Sequence, residues 1–245
     1  MIMPSGYYEK SLYPLQDGVL KCVAGCGTDF FLTGGTALNR IYRKTRYSDD
    51  LDFFLSASTD FSSQLDQVLE ALSLAGYLID QSSESLLTAD FCTLVVYQQT
   101  VPSVRLKLDF VNDLALHFGG FFSSPLFPRI DSSRNILSNK LTALFRFEAK
   151  DLVDIHSLCT LGTFKWPEIM GEARQKEAGL EAPVAAEIIN GLPHQDFQAI
   201  RWVKQPEWQM FQADLHRITL EMLAGVENSL GPPESSLESH TGDAM

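Results

Sequence analysis

Apolar residues in the first part of the chain recur at a helical spacing and are interrupted by short apolar runs. Residues 7–31 carry Leu and Val in a roughly helical pattern, and they end in the run Phe30 to Leu32, which predicts a first core strand. Apolar positions from Phe61 to Leu72 fit the period of an amphipathic helix that would cover a sheet. The pattern therefore predicts helices that flank a sheet.

The next part of the chain looks rich in β-strands. Residues 77–111 contain short apolar runs separated by Ser- and Gln-rich turns. In the last run, residues 104–111, the apolar residues share one face, and Arg105, Lys107 and Asp109 share the other. This alternation predicts a strand with one buried and one polar face.

Two aspartates share one face of an earlier predicted strand. Successive side chains of a strand point to opposite faces, so Asp50 and Asp52 project from one side while Leu51 and Phe53 point into the core. Because two neighbouring carboxylates repel each other, a hard divalent cation between them lowers the energy. We expect this ion to be Mg²⁺, with Mn²⁺ as a substitute.

A glycine turn and a basic stretch precede this strand. Gly34 and Gly35 leave the backbone unencumbered where a strand turns into a helix, so that N–H groups can face a phosphate, and the hydroxyl of Thr36 adds a donor. Four cations follow before the next acidic residue, and they could hold a polyanionic substrate over the metal. They are Arg40, Arg43, Lys44 and Arg46.

Each of these features alone also fits a plainer interpretation. Gly-Gly-Thr occurs in ordinary turns, paired aspartates are common on solvated surfaces, and residues 104–111 also fit a simple edge strand. Further along, five charged residues fit a salt-bridged helix surface by their spacing alone. They are Lys140, Arg146, Lys150, Asp151 and Asp154. The order of glycine turn, basic stretch and carboxylate strand is more specific than any of its parts.

The second half of the chain changes character at Asn135. Residues 135–162 predict one or two amphipathic helices, and prolines separate further helices expected at 168–178, 184–190 and 206–224. The final segment is small, polar and acidic, which predicts disorder. The expected parts are a first domain of residues 1–130, a helical domain of residues 131–228 that completes an active-site cleft, and a disordered tail of residues 229–245.

Composition narrows the class of protein. With 245 residues, of which 45% are hydrophobic, the chain can bury a large core. No apolar run approaches the roughly 18 residues of a membrane span, and the N-terminus has no signal-peptide pattern, so we expect a cytoplasmic protein without a membrane partner. Four scattered cysteines favour reduced thiols over disulfides. The net charge of −12 argues against a broad nucleic-acid-binding surface.

These motifs resemble a known family. The segments GGTAL and RYSDDLDFF, which contain Thr36, Asp50 and Asp52, are similar to the first motif of nucleotidyltransferase toxins of the AbiEii/AbiGii and MenT type. The segment from Lys140 to Arg146, followed by Lys150 to Asp154, is similar to the downstream motifs of that family, in which a Lys and an Asp complete the active site.

The resemblance implies a fold and a reaction. The expected fold class is α+β (α/β), a minimal nucleotidyltransferase fold of the polymerase-beta-like superfamily, with a mixed β-sheet flanked by helices and a C-terminal helical domain. The implied substrate is an NTP with Mg²⁺, and the implied setting is a toxin–antitoxin or phage-defence pair. The expected site residues are the metal ligands Asp50, Asp52 and Asp109, the NTP-binding residues Gly34, Gly35, Thr36, Arg46 and Lys107, and the active-site residues Lys140 and Asp151.

We therefore predict an enzyme that transfers a nucleoside monophosphate from an NTP to an acceptor. The acceptor would be a tRNA 3′ end or a protein hydroxyl, and an antitoxin protein would be a further partner. Lys140 would bring a mobile positive charge to the triphosphate, and Asp151 would orient Lys140 or Arg146 or hold the nucleophile. The alternative is a non-catalytic module that keeps the fold and binds nucleotide or an antitoxin.

Overall fold

The computed structural model describes residues 5–80, 85–232 and 237. Its contacts divide the chain into two compact units. The first unit comprises residues 1–37, 47–115 and 121–131, and the second comprises residues 38–46, 116–120 and 132–245. Residues 38–46, which the sequence pattern assigns to the first domain, therefore belong with the helical second unit.

A mixed sheet forms the centre of the first unit. Its strands are β1 (Phe31–Thr33), β2 (Asp50–Ser56), β3 (Tyr77–Ile79), β4 (Leu86–Leu87), β5 (Phe91–Gln98) and β6 (Leu106–Asp113). They are ordered β1-β2-β6-β5-β3, and β4 also pairs with β5. Strands β2 and β6 are parallel, and the other pairs are antiparallel. The predicted mixed sheet is confirmed.

Helical segments lie before β1, after β1 and after β2. They are the turn Ser5–Tyr7, the π-helical stretch Tyr8–Leu12, α1 (Tyr13–Gly25), α2 (Gly34–Ala37) with its π-helical continuation Leu38–Tyr42, and α3 (Phe61–Leu74). The buried residues of α1 and α3 are the apolar ones selected by the helical period, with one exception. The exception is Gln16 of α1, a polar residue that is fully buried.

Aromatic rings fill the core of the first unit. Phe53 of β2 stacks on Phe110 of β6 with 5.2 Å between ring centroids, and Phe30 packs edge-on against Phe110. Leu51 and Leu108 are fully buried beside them. Because side chains alternate along a strand, this core turns the intervening polar residues of β2 and β6 to the opposite face of the sheet.

The second unit is helical. Its helices are α4 (Ser133–Thr142) with the 3₁₀ turn Ala143–Arg146, α5 (Ala149–Cys159), α6 (Trp166–Lys176), α7 (Ala182–Asn190), α8 (His194–Ala199) and α9 (Trp208–Ala224). Trp166, Phe197 and Phe211 are buried in its core. The sequence pattern misses α8, because six residues are too few for a period to show. None of the helices described here is both long and apolar enough to cross a membrane.

Two residues near the C-terminus, Asn228 and Leu237, pack against other parts of the second unit. The side-chain amide of the buried Asn228 donates to the carbonyl oxygens of Cys159 and Gly162, each at 2.8 Å. Leu237 is also buried, and its carbonyl oxygen accepts a hydrogen bond from Ser133 Oγ at 2.7 Å. The disorder predicted for residues 229–245 falls mostly on residues outside those that the structure describes.

Candidate active site

The register of two parallel strands gathers the predicted carboxylates on one face of the sheet. In the pairing of β2 with β6, Asp50 lies opposite Lys107 and Asp52 lies opposite Asp109. Directly paired residues point to the same face, and this is the face opposite the aromatic core. We call Asp50, Asp52 and Asp109 the carboxylate cluster. The alternation of side chains along each strand can be predicted from the sequence, whereas the pairing of the two strands is known only from the folded structure.

Lys107 balances part of the charge of the carboxylate cluster. Its ammonium nitrogen lies 2.6 Å from Asp109 Oδ2. Burial by itself would lower the pKa of Lys107, but the hydrogen bond to Asp109 and the charges of Asp109, Asp50 and Asp52 outweigh burial and raise this pKa. The other carboxylate oxygen, Asp109 Oδ1, is buried and has no hydrogen-bond partner in the described part of the chain. One oxygen of Asp109 is thus available for a further positive group.

Gly34 lies directly against the carboxylate cluster. Its φ of +66° falls in the left-handed region that favours glycine. A Cβ at this position would collide with Asp52 Oδ2 and lie only 2.9 Å from Asp52 Cγ. Two separate constraints therefore require glycine here, the backbone conformation and the close approach of Asp52.

The hydroxyl of Thr36 is directed into the protein. Thr36 is fully buried. Its Oγ1 lies 2.5 Å from the backbone oxygen of Asp50 and 2.9 Å from Ser48 Oγ. The hydroxyl that we expected to bind a phosphate thus bonds to the first residue of β2 and to Ser48 before it, and Gly35 beside it is buried as well.

The second unit contains the other predicted site residues, in a buried ion network. We use this name for Arg46, Lys140, Asp151 and Asp154. Arg46 Nε and Nη2 donate to the two carboxylate oxygens of Asp154 at 2.8 and 2.7 Å. Lys140 Nζ lies 2.7 Å from Asp151 Oδ1 and 2.7 Å from Asp154 Oδ2. Asp154 therefore joins residues from the segment 38–46, α4 and α5.

Mutual neutralisation keeps this ion network charged in spite of its burial. Burial by itself would raise the pKa of Asp154, but the charges of Arg46 and Lys140 outweigh it and lower this pKa to about 2. Burial likewise opposes the charge on Lys140, but the nearby Asp154 and Asp151 raise its pKa overall. Lys140 is thus fixed between two carboxylates, which differs from the mobile side chain that we expected.

Sequence reasoning only partly identified this ion network. Lys140, Asp151 and Arg46 carry expected roles, whereas Asp154 lies in the downstream motif and in the predicted charged helix surface without a role of its own. Asn39 has no expected role, yet its side-chain nitrogen donates to Asp154 Oδ1 at 3.2 Å and its oxygen accepts from the backbone N–H of Arg46 at 3.1 Å. A sequence feature that could have identified Asp154 as part of the ion network is its position on α5 among Leu and Ile residues, because a charge buried there requires partners.

A match to a family of known proteins decides the class of this chain. The family of the nucleotidyl transferase AbiEii toxin, from a type IV toxin–antitoxin system, matches residues 19–223. The chain belongs to the AbiEii toxin family. It is therefore a nucleotidyltransferase of a toxin–antitoxin family, as the motifs predicted. The matched residues include the carboxylate cluster, the glycine turn and the ion network.

Solved structures share the fold of this AbiEii-family chain. JHP933 from Helicobacter pylori matches with a TM-score of 0.55 at 19% identity, over 91% of this chain and 94% of that one. MenT4, a nucleotidyltransferase toxin from Mycobacterium tuberculosis H37Rv, matches with a TM-score of 0.54 at 16% identity, over 86% of this chain and 82% of that one. No curated protein matches this chain. The structural similarity confirms the predicted fold class.

The donor set of the carboxylate cluster fits a divalent cation. Carboxylate oxygens are the ligands that Mg²⁺ and Mn²⁺ prefer, and the cluster offers three carboxylates on one face. The partnerless oxygen Asp109 Oδ1 is an acceptor that such an ion would satisfy. Within the described residues, no three His, Cys, Asp or Glu side chains, those of the carboxylate cluster included, are grouped in a way that could hold a metal ion. The metal therefore belongs to the proposal that follows.

Proposed function

We propose that this AbiEii-family protein transfers a nucleoside monophosphate from an NTP to an acceptor hydroxyl, with Mg²⁺ bound by Asp50, Asp52 and Asp109. The observation that supports this assignment best is the β2–β6 register, which pairs Asp52 with Asp109. Manganese would substitute for Mg²⁺ because both ions accept a carboxylate donor set. When bound, the metal would neutralise the triphosphate and polarise its α-phosphoryl group.

In this proposal the residues of the first unit bind the triphosphate and the ion. In this proposal the turn at Gly34 and Gly35 binds the phosphate through its backbone, and the absence of a Cβ at Gly34 leaves room for the carboxylate of Asp52 beside it. Lys107 is half-exposed, with 51% of its side chain accessible, and supplies a positive charge on the same face as the carboxylates. Asp109 either completes the ligand set or accepts the proton of the acceptor hydroxyl.

The proposed reaction is an in-line displacement at the α-phosphorus. The acceptor oxygen forms a bond to this phosphorus, and the bond from the phosphorus to the oxygen bridging to the β-phosphate breaks. Pyrophosphate leaves with the electron pair, and the proton of the hydroxyl passes to a carboxylate or to water. The product is a phosphodiester between acceptor and nucleoside, which distinguishes this reaction from phosphorylation.

The ion network has a supporting role in this proposal. Arg46 and Lys140 are each bonded to buried carboxylates, so their charges are already compensated inside the second unit. Asp151 orients both Lys140 and Arg146, since its two oxygens lie 2.7 Å from Lys140 Nζ and 2.9 Å from Arg146 Nη2. Arg146 is 61% exposed and is the member of this group that can reach an anionic ligand from the surface.

The proposed acceptor is a tRNA 3′ end or a protein hydroxyl, and the proposed physiological partner is the antitoxin. The net charge of −12 disfavours a long nucleic-acid footprint, but a tRNA 3′ end needs only local contacts. A cytoplasmic location agrees with either acceptor and stays a prediction.

The test is incubation of the purified protein with each α-³²P-labelled NTP, Mg²⁺, total tRNA and a cell protein extract, followed by gel separation. We expect one labelled band, in RNA or in protein, that is absent for Asp52→Ala. Asp66→Ala, which changes an exposed aspartate on α3, is the matched control and should label as the parent does. A parent that labels neither fraction, or an Asp52→Ala variant that labels normally, would contradict the proposal.

A further inference from the structure

The first residue of β2 and the segment before it are bonded to buried side chains from two helical segments. Thr36 of α2 donates from Oγ1 to the backbone oxygen of Asp50 at 2.5 Å. Gln16 of α1 donates from Nε2 to the backbone oxygen of Ser48 at 3.1 Å. Thr36, Ser48 and Gln16 are each at most 1% exposed. These bonds fix the backbone immediately before and at the first residue of the carboxylate cluster.

The direction of the hydrogen bonds follows from counting protons. A hydroxyl has one proton, and a carbonyl oxygen can only accept. Thr36 must therefore donate its proton to the carbonyl of Asp50. The 2.9 Å contact with Ser48 is then a bond donated by Ser48 Oγ to Thr36 Oγ1. A phosphate could receive the proton of Thr36 only if the bond to Asp50 broke.

A further hydrogen bond holds the same segment from the N-terminal side. Tyr8 Oη donates to Asp49 Oδ1 at 2.8 Å, and the ring of Tyr8 stacks on Tyr47 with 4.2 Å between centroids. Residues 47–50 are thus bonded or stacked at each position by a helical segment of the first unit. The strand that carries Asp50 and Asp52 begins from a fixed backbone position.

We propose that Thr36, Ser48 and Gln16 are positioning residues for the carboxylate cluster, and that Thr36 acts through the backbone of Asp50 instead of binding phosphate. This inference rests on the proposed function, because the property that it assigns is the placement of a metal-binding carboxylate. A shift of the Asp50 backbone moves its carboxylate relative to Asp52 and Asp109. Loss of a group that orients a metal ligand typically lowers metal affinity or activity, and in this inference Thr36 makes no contact with the nucleotide whose loss would change nucleotide affinity.

The test compares Thr36→Val, Thr36→Ser and Ser48→Ala in the full chain. Valine keeps the shape of threonine but removes the hydroxyl, and serine restores it. We expect Thr36→Val and Ser48→Ala to weaken Mn²⁺ binding, measured by calorimetry without nucleotide, by about 10–100-fold, as losses of such supporting bonds typically do. In both variants the kcat should fall together with the Mn²⁺ affinity, while the KM for NTP changes little. Thr36→Ser should behave as the parent does.

A matched control separates positioning from general loss of stability. Thr219 is also buried, and its hydroxyl bonds to the backbone oxygen of His216 at 2.9 Å in the second unit. Thr219→Val removes a similar hydroxyl and should lower the melting temperature to a similar extent without changing Mn²⁺ affinity. If Thr219→Val and Thr36→Val weakened Mn²⁺ binding equally, the positioning role would be refuted.

The remaining outcomes distinguish this inference from the proposed function. A raised KM for NTP in Thr36→Val, with Mn²⁺ affinity and Ser48→Ala unchanged, would identify Thr36 as a phosphate ligand and overturn the inference. Mn²⁺ binding that is lost in Asp52→Ala but normal in both Thr36→Val and Ser48→Ala would overturn the inference alone. Mn²⁺ binding that Asp52→Ala does not reduce would overturn the proposed metal site, and the inference with it.

Discussion

At the scale of single residues, the candidate site depends on the close contact between the backbone of Gly34 and the carboxylate of Asp52. Gly34 combines a positive φ with a position where any Cβ would displace Asp52. The sequence shows that glycine is present at this turn, and it predicts a phosphate-binding role. The contact with Asp52 could not be predicted, because it depends on the antiparallel pairing of β1 with β2, which places Thr33 opposite Asp52.

Gly34→Ala should therefore lose both stability and activity. The left-handed conformation costs a non-glycine residue roughly 1–2 kcal/mol, and the displaced Asp52 carboxylate should weaken Mn²⁺ binding and transfer. Gly27→Ala is the matched control, since Gly27 has a similar φ of +68° and no atom within 4 Å of its hypothetical Cβ. Urea unfolding should show that both variants are destabilised, Gly34→Ala at least as much as Gly27→Ala, and the transfer assay should show an activity loss in Gly34→Ala alone. Equal activity in the two variants would refute the contact with Asp52.

At the scale of elements, the ion network ties the segment 38–46 to α4 and α5. The spacing of Lys140, Asp151 and Asp154 fits an exposed charged helix surface as well as a buried network, because both need the same helical period. Only the packing shows that Asp151 and Asp154 are fully buried. The elements themselves were largely predictable from local periodicity, whereas the partner of each charge was not.

Asp154→Asn should be strongly destabilising. Removal of one charge from a buried, paired network leaves the partners uncompensated and typically costs about 3–5 kcal/mol. Arg146→Met is the matched control, because Arg146 is 61% exposed and pairs at the edge of the same network. Its cost should stay below about 1 kcal/mol. Urea unfolding measures the free energy of unfolding of both variants. Similar decreases of this free energy in the two variants would contradict the burial of the ion network.

The depressed pKa of Asp154 also predicts a loss of stability in acid. Its folded pKa of about 2 lies below its ordinary value of 3.8, so the unfolded chain takes up a proton at a higher pH than the folded chain does. The contribution is fully present above about pH 4 and is lost as the pH falls towards about 2, with a size of about 2 kcal/mol. Unfolding free energies of the parent should fall more steeply than those of Asp154→Asn in this range. Parallel curves would contradict this assignment.

At the scale of the whole molecule, local motifs could be identified from the sequence, whereas contacts made by the fold could not. The family and the fold class could be predicted because the motifs around Asp50 and Asp52 resemble those of the family, and such motifs are local properties of the chain. The sequence could not show that Thr36 is bonded internally, that Lys140 is fixed between two carboxylates, or that Gln16 and Ser48 bond beside Asp50 and Asn39 bonds to Asp154. Those contacts depend on the tertiary fold.

The measurement that tests the central claim most directly is a paired incubation with α-³²P-labelled and γ-³²P-labelled NTP, using the parent, Asp109→Asn and Asp66→Asn. Nucleotidyl transfer predicts that the α label enters the acceptor and that the γ label leaves only as pyrophosphate. Asp109→Asn should reduce transfer by at least about 100-fold, as loss of a charge-stabilising group in an active site typically does, and Asp66→Asn should match the parent. Entry of the γ label into the acceptor, or normal transfer by Asp109→Asn, would contradict the account.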